Sequence, residues 1–428
     1  MNEQADQSIS KKPSNGFAAN LSWLVFSGAV SVANSVLVWI FMARWRSAEE
    51  LASLTVVMGL CSLFYNICSF NLAPLFVREI SRRSAKAGEN PAAFTGTAAV
   101  FLLISGTLCA VLMTAGGFLL SSSKDVLTAN AVLSFALIPT ALVTLGEAGA
   151  VAFGRGRLIA GATTFENVLR TIVPLFLIAY GFPLWAICLS FVAVRVITAA
   201  IYFYAGKIRR VVFIRDEFAL LCKSAPTFAG TIIFASLTWQ IPLILLARTA
   251  SESELANYGI AGRFFIPATI FAAGFANAMQ PTLVREWEKS AAAGAAYLRW
   301  RAGLVLFATV AAAIIAPFLS RTLLTLLFGA AYADAAQTLD LLAISVIPFA
   351  LVVVTARGLV AANAARIDLL ANALGAVVCL AAGLWLVPRF GAVGAATAQI
   401  AAFALMAAVE IGFLVNYSIA SDERSVLA

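Results

Sequence analysis

Pro74-Leu75-Phe76-Val77-Arg78-Glu79 recurs about 207 residues later as Pro281-Thr282-Leu283-Val284-Arg285-Glu286. Upstream of it, Ala43-Arg44, Ser47 and Glu50-Leu51-Ala52 recur as Ala247-Arg248, Ser251 and Glu254-Leu255-Ala256. Downstream, Ala141-Leu142-Val143 with Arg157 matches Ala350-Leu351-Val352 with Arg366, and Gly181 matches Gly391. The separation drifts from about 204 to about 210 residues, as in two copies of one half-length unit that have gained a few loop residues since duplication. Both copies are almost wholly apolar. A repeat of that length built from membrane spans predicts two halves that rock about a shared central site, the arrangement found in transporters.

Composition sets the same bounds. Apolar residues make up 62% of the chain and charged residues 12%, which belongs to integral membrane proteins and leaves no room for a large water-soluble domain. The net charge of +8 sits in short loops between apolar runs, not on a polar folded surface, so it argues against a nucleic-acid partner. Histidine is absent, which removes the commonest metal ligand and proton relay; no metal centre and no cofactor are expected. Six cysteines (Cys61, Cys68, Cys109, Cys188, Cys222 and Cys379) lie in or beside apolar segments with no Cys-x-x-Cys pair, and read as small buried hydrophobes. Lys11-Lys12 resembles the basic start of a signal peptide, but the apolar run continues from Phe17 to Ala43 and predicts a retained first helix.

At about 20 apolar residues per crossing, the chain reads as all-α, with twelve transmembrane helices. They run over Phe17–Ala43, Leu51–Val77, Phe94–Leu120, Ala129–Phe153, Leu158–Tyr180, Pro183–Ala205, Pro226–Ala247, Ala256–Leu283, Ala302–Phe318, Leu339–Ala362, Leu369–Pro388 and Ala392–Tyr417. Ser320–Ala336 reads as a bent interfacial extension of the ninth. The organisation is a tail (1–16), six helices (17–206), a basic linker (207–223), six helices (224–418) and a second tail (419–428). With the N-terminus inside, cytoplasmic segments hold nineteen Lys and Arg residues and the opposite side six. The positive-inside rule therefore places both termini in the cytoplasm. Six helices per copy is an even number, so the copies share one orientation and their pseudo-twofold axis lies along the membrane normal.

Four arginines remain within spans: Arg170, Arg195, Arg263 and Arg357. At about 2.5–3.5 kcal/mol each near the bilayer centre, four facing lipid would cost on the order of 10 kcal/mol, comparable with a protein's whole stability. They must face a wet cavity or an acid. Glu147, Glu166 and Glu410 also fall within spans, as coupling or ion-pair candidates, and Glu166 stands four residues before Arg170 on one helix face. Arg357 and Glu147 lie near helix ends, where snorkelling is an equal alternative. Glu166–Arg170 reads equally as a self-neutralising structural pair. Arg195 and Arg263 have no acid at helical spacing and are the leading candidates for contact with an anionic substrate, followed by Arg170 and Arg357. Pro139, Pro174, Pro242, Pro267 and Pro348 predict kinks within spans.

Several stretches resemble one family. Ala43-Arg44-Trp45-Arg46-Ser47-Ala48-Glu49-Glu50 and Phe70-Asn71-Leu72 running into Val77-Arg78-Glu79-Ile80 are similar to the opening of bacterial polysaccharide flippases. So are Asn257-Tyr258-Gly259-Ile260-Ala261-Gly262-Arg263, Leu327-Phe328-Gly329-Ala330-Ala331-Tyr332, and Phe390-Gly391-Ala392-Val393-Gly394-Ala395-Ala396. The resemblance implies the multidrug/oligosaccharidyl-lipid/polysaccharide exporter superfamily, with two six-helix lobes set in a V about a cavity. It implies a lipid-linked oligosaccharide substrate, carried on undecaprenyl diphosphate from the cytoplasmic to the periplasmic leaflet of the inner membrane. Membrane lipids, and a polymerase or glycosyltransferases of the same pathway, would be its partners, and the transporter would be a monomer. An acid that the family often has in helix seven is absent, the chain reading Trp239-Gln240-Ile241-Pro242 there, so no coupling role transfers to it.

Other readings compete. A cation-coupled drug exporter of the same superfamily would need acids in its cavity, against which four intramembrane arginines and three glutamates favour an anionic cargo. An enzyme would need a sizeable loop bearing catalytic carboxylates, and the longest loops here are short and basic.

Overall fold

A computed structural model describes residues 36–85, 91–153, 155–206, 213–362 and 364–427. The predicted N-terminal tail, the first helix up to residue 35 and positions 207–212 of the linker lie outside the described residues. The helices are α1 (Val36–Trp45), α2 (Ala48–Ile67), α3 (Ala73–Ala85), α4 (Pro91–Leu120), α5 (Lys124–Ser134), α6 (Leu137–Ala152) and α7 (Gly156–Ala179). They continue as α8 (Leu184–Gly206), α9 (Arg215–Thr249), α10 (Glu252–Lys289), α11 (Ala291–Phe328), α12 (Ala335–Ala361) and α13 (Ala365–Leu427). No strand occurs among the described residues.

Ten of these stretches, with α5 and α6 counted as one, are long and apolar enough to cross a bilayer. The last of them makes two crossings. At Gly391 the backbone leaves the helix (φ 52°, ψ −130°) and the chain doubles back. A Cβ on Gly394 would stand 3.0 Å from the backbone nitrogen of Val387, and one on Gly375 would stand 2.6 Å from Met406 Cγ, so the two arms run antiparallel in contact. With the short apolar α1 ahead of them, the described residues form the expected all-α bundle, in which eleven crossings are in view.

The repeat is visible in local structure. Ser47 and Ser251 each cap a helix, accepting from the amide of the residue three on (Glu50 at 3.2 Å, Glu254 at 3.3 Å). The two glutamates then reach equivalent turns by different routes. Glu254 accepts directly from the Ala392 N–H at 2.7 Å. Glu50 instead grips Arg46 (2.6 and 2.8 Å), which donates to the Phe182 carbonyl at 2.9 Å. The glycines beside these turns, Gly181 (φ 73°) and Gly391 (φ 52°), both adopt the left-handed conformation that disfavours a Cβ.

Boundaries differ from expectation at four places. The second helix breaks at Phe70 and Asn71, both left-handed (φ 50° and 54°), at about 1–2 kcal/mol each. Ser105 Oγ donates to the Cys68 carbonyl freed by the break. The seventh helix starts at Arg215, inside the predicted linker, because Pro226 lies within α9 instead of opening it. The ninth is one helix that starts at Ala291 and runs through Pro317 to Phe328, and the last helix continues to Leu427 through the predicted tail.

The halves meet where α2 crosses α9 and α10. Gly59 lets Leu243 and Gln240 approach, and Gly259 lies against Thr55, so close that a Cβ there would stand 3.1 Å from Thr55 Cβ. Under the 204-residue shift that relates Glu50 to Glu254, Thr55 and Gly259 are equivalent positions. Two equivalent residues can touch only beside the symmetry axis, so the pseudo-twofold axis passes between them. Arg44 ties the halves again, donating to the Leu327 carbonyl at 2.6 Å and to that of Leu326, the exposed last carbonyls of α11. In a background with the six native cysteines replaced, Thr55→Cys with Gly259→Cys is expected to form a disulfide on mild oxidation. The two halves would then remain joined on a non-reducing gel after proteolysis between them; separate fragments would show that the axis lies elsewhere.

Candidate functional site

Beside this crossing lies a cavity of about 200 Å³. Thr55, Gly59 and Ser62 of α2 form one wall, Gln240 of α9 and Gln399 of α13 supply amides, and Tyr258 and Arg263 come from α10. Tyr258 donates to Gln399 Oε1 at 3.3 Å. Behind it, Trp239 packs edge-on against Phe265, Phe349 and Phe403 with centroids 4.8, 5.2 and 5.5 Å away, fixing α9, α10, α12 and α13 relative to one another.

Arg263 is the cation of this cavity. Its guanidinium stacks on Trp39 of α1 with Cζ 3.7 Å from the ring centroid, and among the described residues no carboxylate pairs with it. A stacked guanidinium keeps its edge free for donation in the plane, the geometry that matches two phosphate or carboxylate oxygens. Under the same 204-residue shift its counterpart is Gly59: one half contributes the charge and the other contributes space.

Arg195 is placed differently. Sequence reading found no acid at helical spacing on its own helix, but Glu166 reaches it from α7, with both carboxylate oxygens 2.6 Å from Nη1. Nε donates to Thr140 Oγ1 at 3.1 Å, and Nη2 donates to the hydroxyl of Tyr65, over whose ring the guanidinium also lies at 5.1 Å. Arg195 is only 8% exposed. The expected Glu166–Arg170 pair exists at 3.3 Å, as the weaker of the glutamate's two bonds, and Arg170 also covers Phe191 at 5.4 Å. Glu147 on α6 lies within electrostatic range of Arg195. This cluster is joined to the cavity through α2, since Tyr65 follows Ser62 by just under one helical turn.

A third group gathers in the second half. Glu410 is fully buried, and its Oε2 accepts from Thr355 of α12. Asp368, at the start of α13, accepts from Asn372 Nδ2 at 2.9 Å and lies within electrostatic range of Glu410 and Arg357. Thus Arg357 and Glu410 share a cluster, while Arg263 stands apart from every other predicted site residue. Sequence reading missed Trp39, Tyr65, Thr140 and Asp368. Only Asp368 carried a signal, an acid immediately before the predicted span Leu369–Pro388 and four residues before Asn372.

Ten membrane-length apolar stretches among the described residues, with a cation inside the bundle that no carboxylate pairs there, define an integral membrane protein built to hold a charge within its spans. The chain is a member of the polysaccharide biosynthesis protein family, whose model matches residues 17–287. Its fold is similar to that of the lipid II flippase MurJ in an inward closed conformation, at 14% identity over 93% of this chain and 87% of that one, with a TM-score of 0.76. It is also similar to a multidrug resistance MATE family transporter of the MOP superfamily in an inward-facing conformation, at 13% identity over 92% and 95%, with a TM-score of 0.74. A third similar structure is a MOP superfamily transporter from Pyrococcus furiosus, at 12% identity over 94% of each chain and a TM-score of 0.59. No curated protein sequence matches the chain.

Proposed function

We propose that this transporter flips an oligosaccharide repeat unit, linked to undecaprenyl diphosphate, from the cytoplasmic to the periplasmic leaflet of the inner membrane for surface polysaccharide synthesis. The observation that carries the reading is Arg263, a cation within a membrane span that faces a cavity with Gln240, Tyr258 and Gln399 in its wall and pairs with no acid among the described residues. Holding such a charge in a span costs about 2.5–3.5 kcal/mol unless something compensates it. A diphosphate supplies that compensation when the cargo arrives. The protein works as a monomer with both termini in the cytoplasm, hands its cargo to a polymerase or glycosyltransferases of the same pathway, and performs no catalysis itself. In this reading Arg195 and Arg170 brace the first half through Glu166, Arg357 lies near Asp368 within the second, and Arg263 meets the substrate.

A second reading has one observation in its favour. The Asp368–Glu410 carboxyls, with Thr355 and Asn372, form a buried oxygen-rich group of the kind that a cation-coupled exporter needs. Gene deletion separates the two readings. The flippase predicts loss of surface polysaccharide with accumulation of the undecaprenyl-diphosphate oligosaccharide. Normal polysaccharide together with new sensitivity to cationic drugs would overturn it in favour of the exporter.

A further inference from the structure

Next to the Arg263 cavity lies a second space with opposite chemistry, a slot of about 430 Å³ between α10, α11 and α12. The space exists because Ala268, Ala312, Ala316 and Ala343 face it, where larger side chains would fill it. Phe265 and Leu342 border both spaces and form their common wall. At its other side the slot opens to the outer, lipid-facing surface of the bundle, where Ile315 and Leu319 of its lining are 52% and 54% exposed.

A cationic, amide-lined cavity that adjoins an apolar slot with a lateral opening matches one kind of molecule, an amphiphile with an anionic head and a long apolar tail. We infer that the slot between α10, α11 and α12 seats the head-proximal isoprene units of the lipid carrier while its diphosphate lies at Arg263. The inference rests on the flippase reading and adds to it the route taken by the tail. The tail gains no hydrophobic free energy by leaving lipid for this slot, because bilayer interior and slot wall are equally apolar. What the slot contributes is orientation. It lets the head cross the protein interior while the rest of the chain stays in the bilayer. Volume supports a few isoprene units and not the whole chain.

The test uses the full-length protein in proteoliposomes with two fluorescent probes, one sugar head linked by diphosphate to a C55 polyprenyl chain or to a C10 geranyl chain. Filling the slot with Ala343→Trp or Ala316→Trp should slow flipping of the C55 probe roughly tenfold and leave the C10 probe within about twofold of the unmodified rate. Arg263→Ala should slow both. Equal slowing of both probes by the tryptophan variants, or no slowing of either, would overturn the slot assignment and leave the flippase reading standing. Failure of the unmodified protein to flip either probe would overturn the flippase reading itself, and the slot with it. Because a tryptophan can disturb folding, photo-crosslinking gives an independent readout: a benzophenone amino acid at position 316 should capture C55 polyprenyl diphosphate, with competition by unlabelled C55 carrier. Capture of bulk phospholipid alone would overturn the assignment.

Discussion

An Arg263→Ala protein present at normal membrane levels should export almost no surface polysaccharide, and should be no less stable than the unmodified protein. Each hydrogen bond to a charged group contributes about 1.5–3 kcal/mol. Loss of a two-pronged contact to a diphosphate therefore lowers transport by roughly 100-fold or more. Stability should move the other way. Arg263 has only the Trp39 ring as a partner among the described residues, so its removal strands no opposite charge and relieves a desolvated cation. Arg263→Lys keeps the charge but loses the planar fork, and should fall between the two. Export assays paired with thermal unfolding in detergent check both halves of the expectation. Near-normal export by the alanine variant would remove Arg263 from the substrate path.

Glu166→Gln should behave in the opposite sense. Arg195 is nearly buried, and Glu166 is its only carboxylate within 4 Å among the described residues, so the neutral amide leaves a guanidinium unpaired inside the bundle. Breaking one side of a buried pair costs about 3–5 kcal/mol, whereas replacing both partners with apolar groups of similar size is often neutral. Glu166→Gln alone should therefore sharply lower the unfolding temperature, and Glu166→Gln combined with Arg195→Met should recover most of the loss. A double-mutant cycle read by thermal unfolding measures the coupling. Additive effects of the two single substitutions would show that the pair does not act as a unit.

The contrast between these arginines shows what the sequence could and could not reveal. Duplication was legible because it preserves residue types where backbone geometry demands them: Ser47 and Ser251 at helix caps, Gly181 and Gly391 where φ is positive. The number of crossings followed from apolar length alone. The partner of Arg195 was hidden, because helical spacing reports neighbours on one helix, and Glu166 reaches it across the α7–α8 hairpin from 29 residues away. Arg263 was readable for the same reason in reverse, since no acid at helical spacing turned out to match no paired carboxylate in space among the described residues. The break at Phe70 and Asn71 had a local signal that apolar length outweighed: Asn71 tolerates a positive φ and Pro74 suits the first turn of the helix that follows. Pro226 misled in the other direction, reading as a first-turn residue when α9 had already begun eleven residues earlier.

The contact of Thr55 with Gly259, its own repeat partner, bears on ancestry. A half-length ancestor working as a homodimer would have met its twin at that same spot, and whatever one subunit placed beside the axis the other would have placed as well. Such a pair can hold two arginines or none, never one. Fusion into a single gene lifted that restriction and let Gly59 and Arg263 diverge, one side keeping room and the other gaining charge. An odd number of cations at the centre is thus something only two diverged copies could hold.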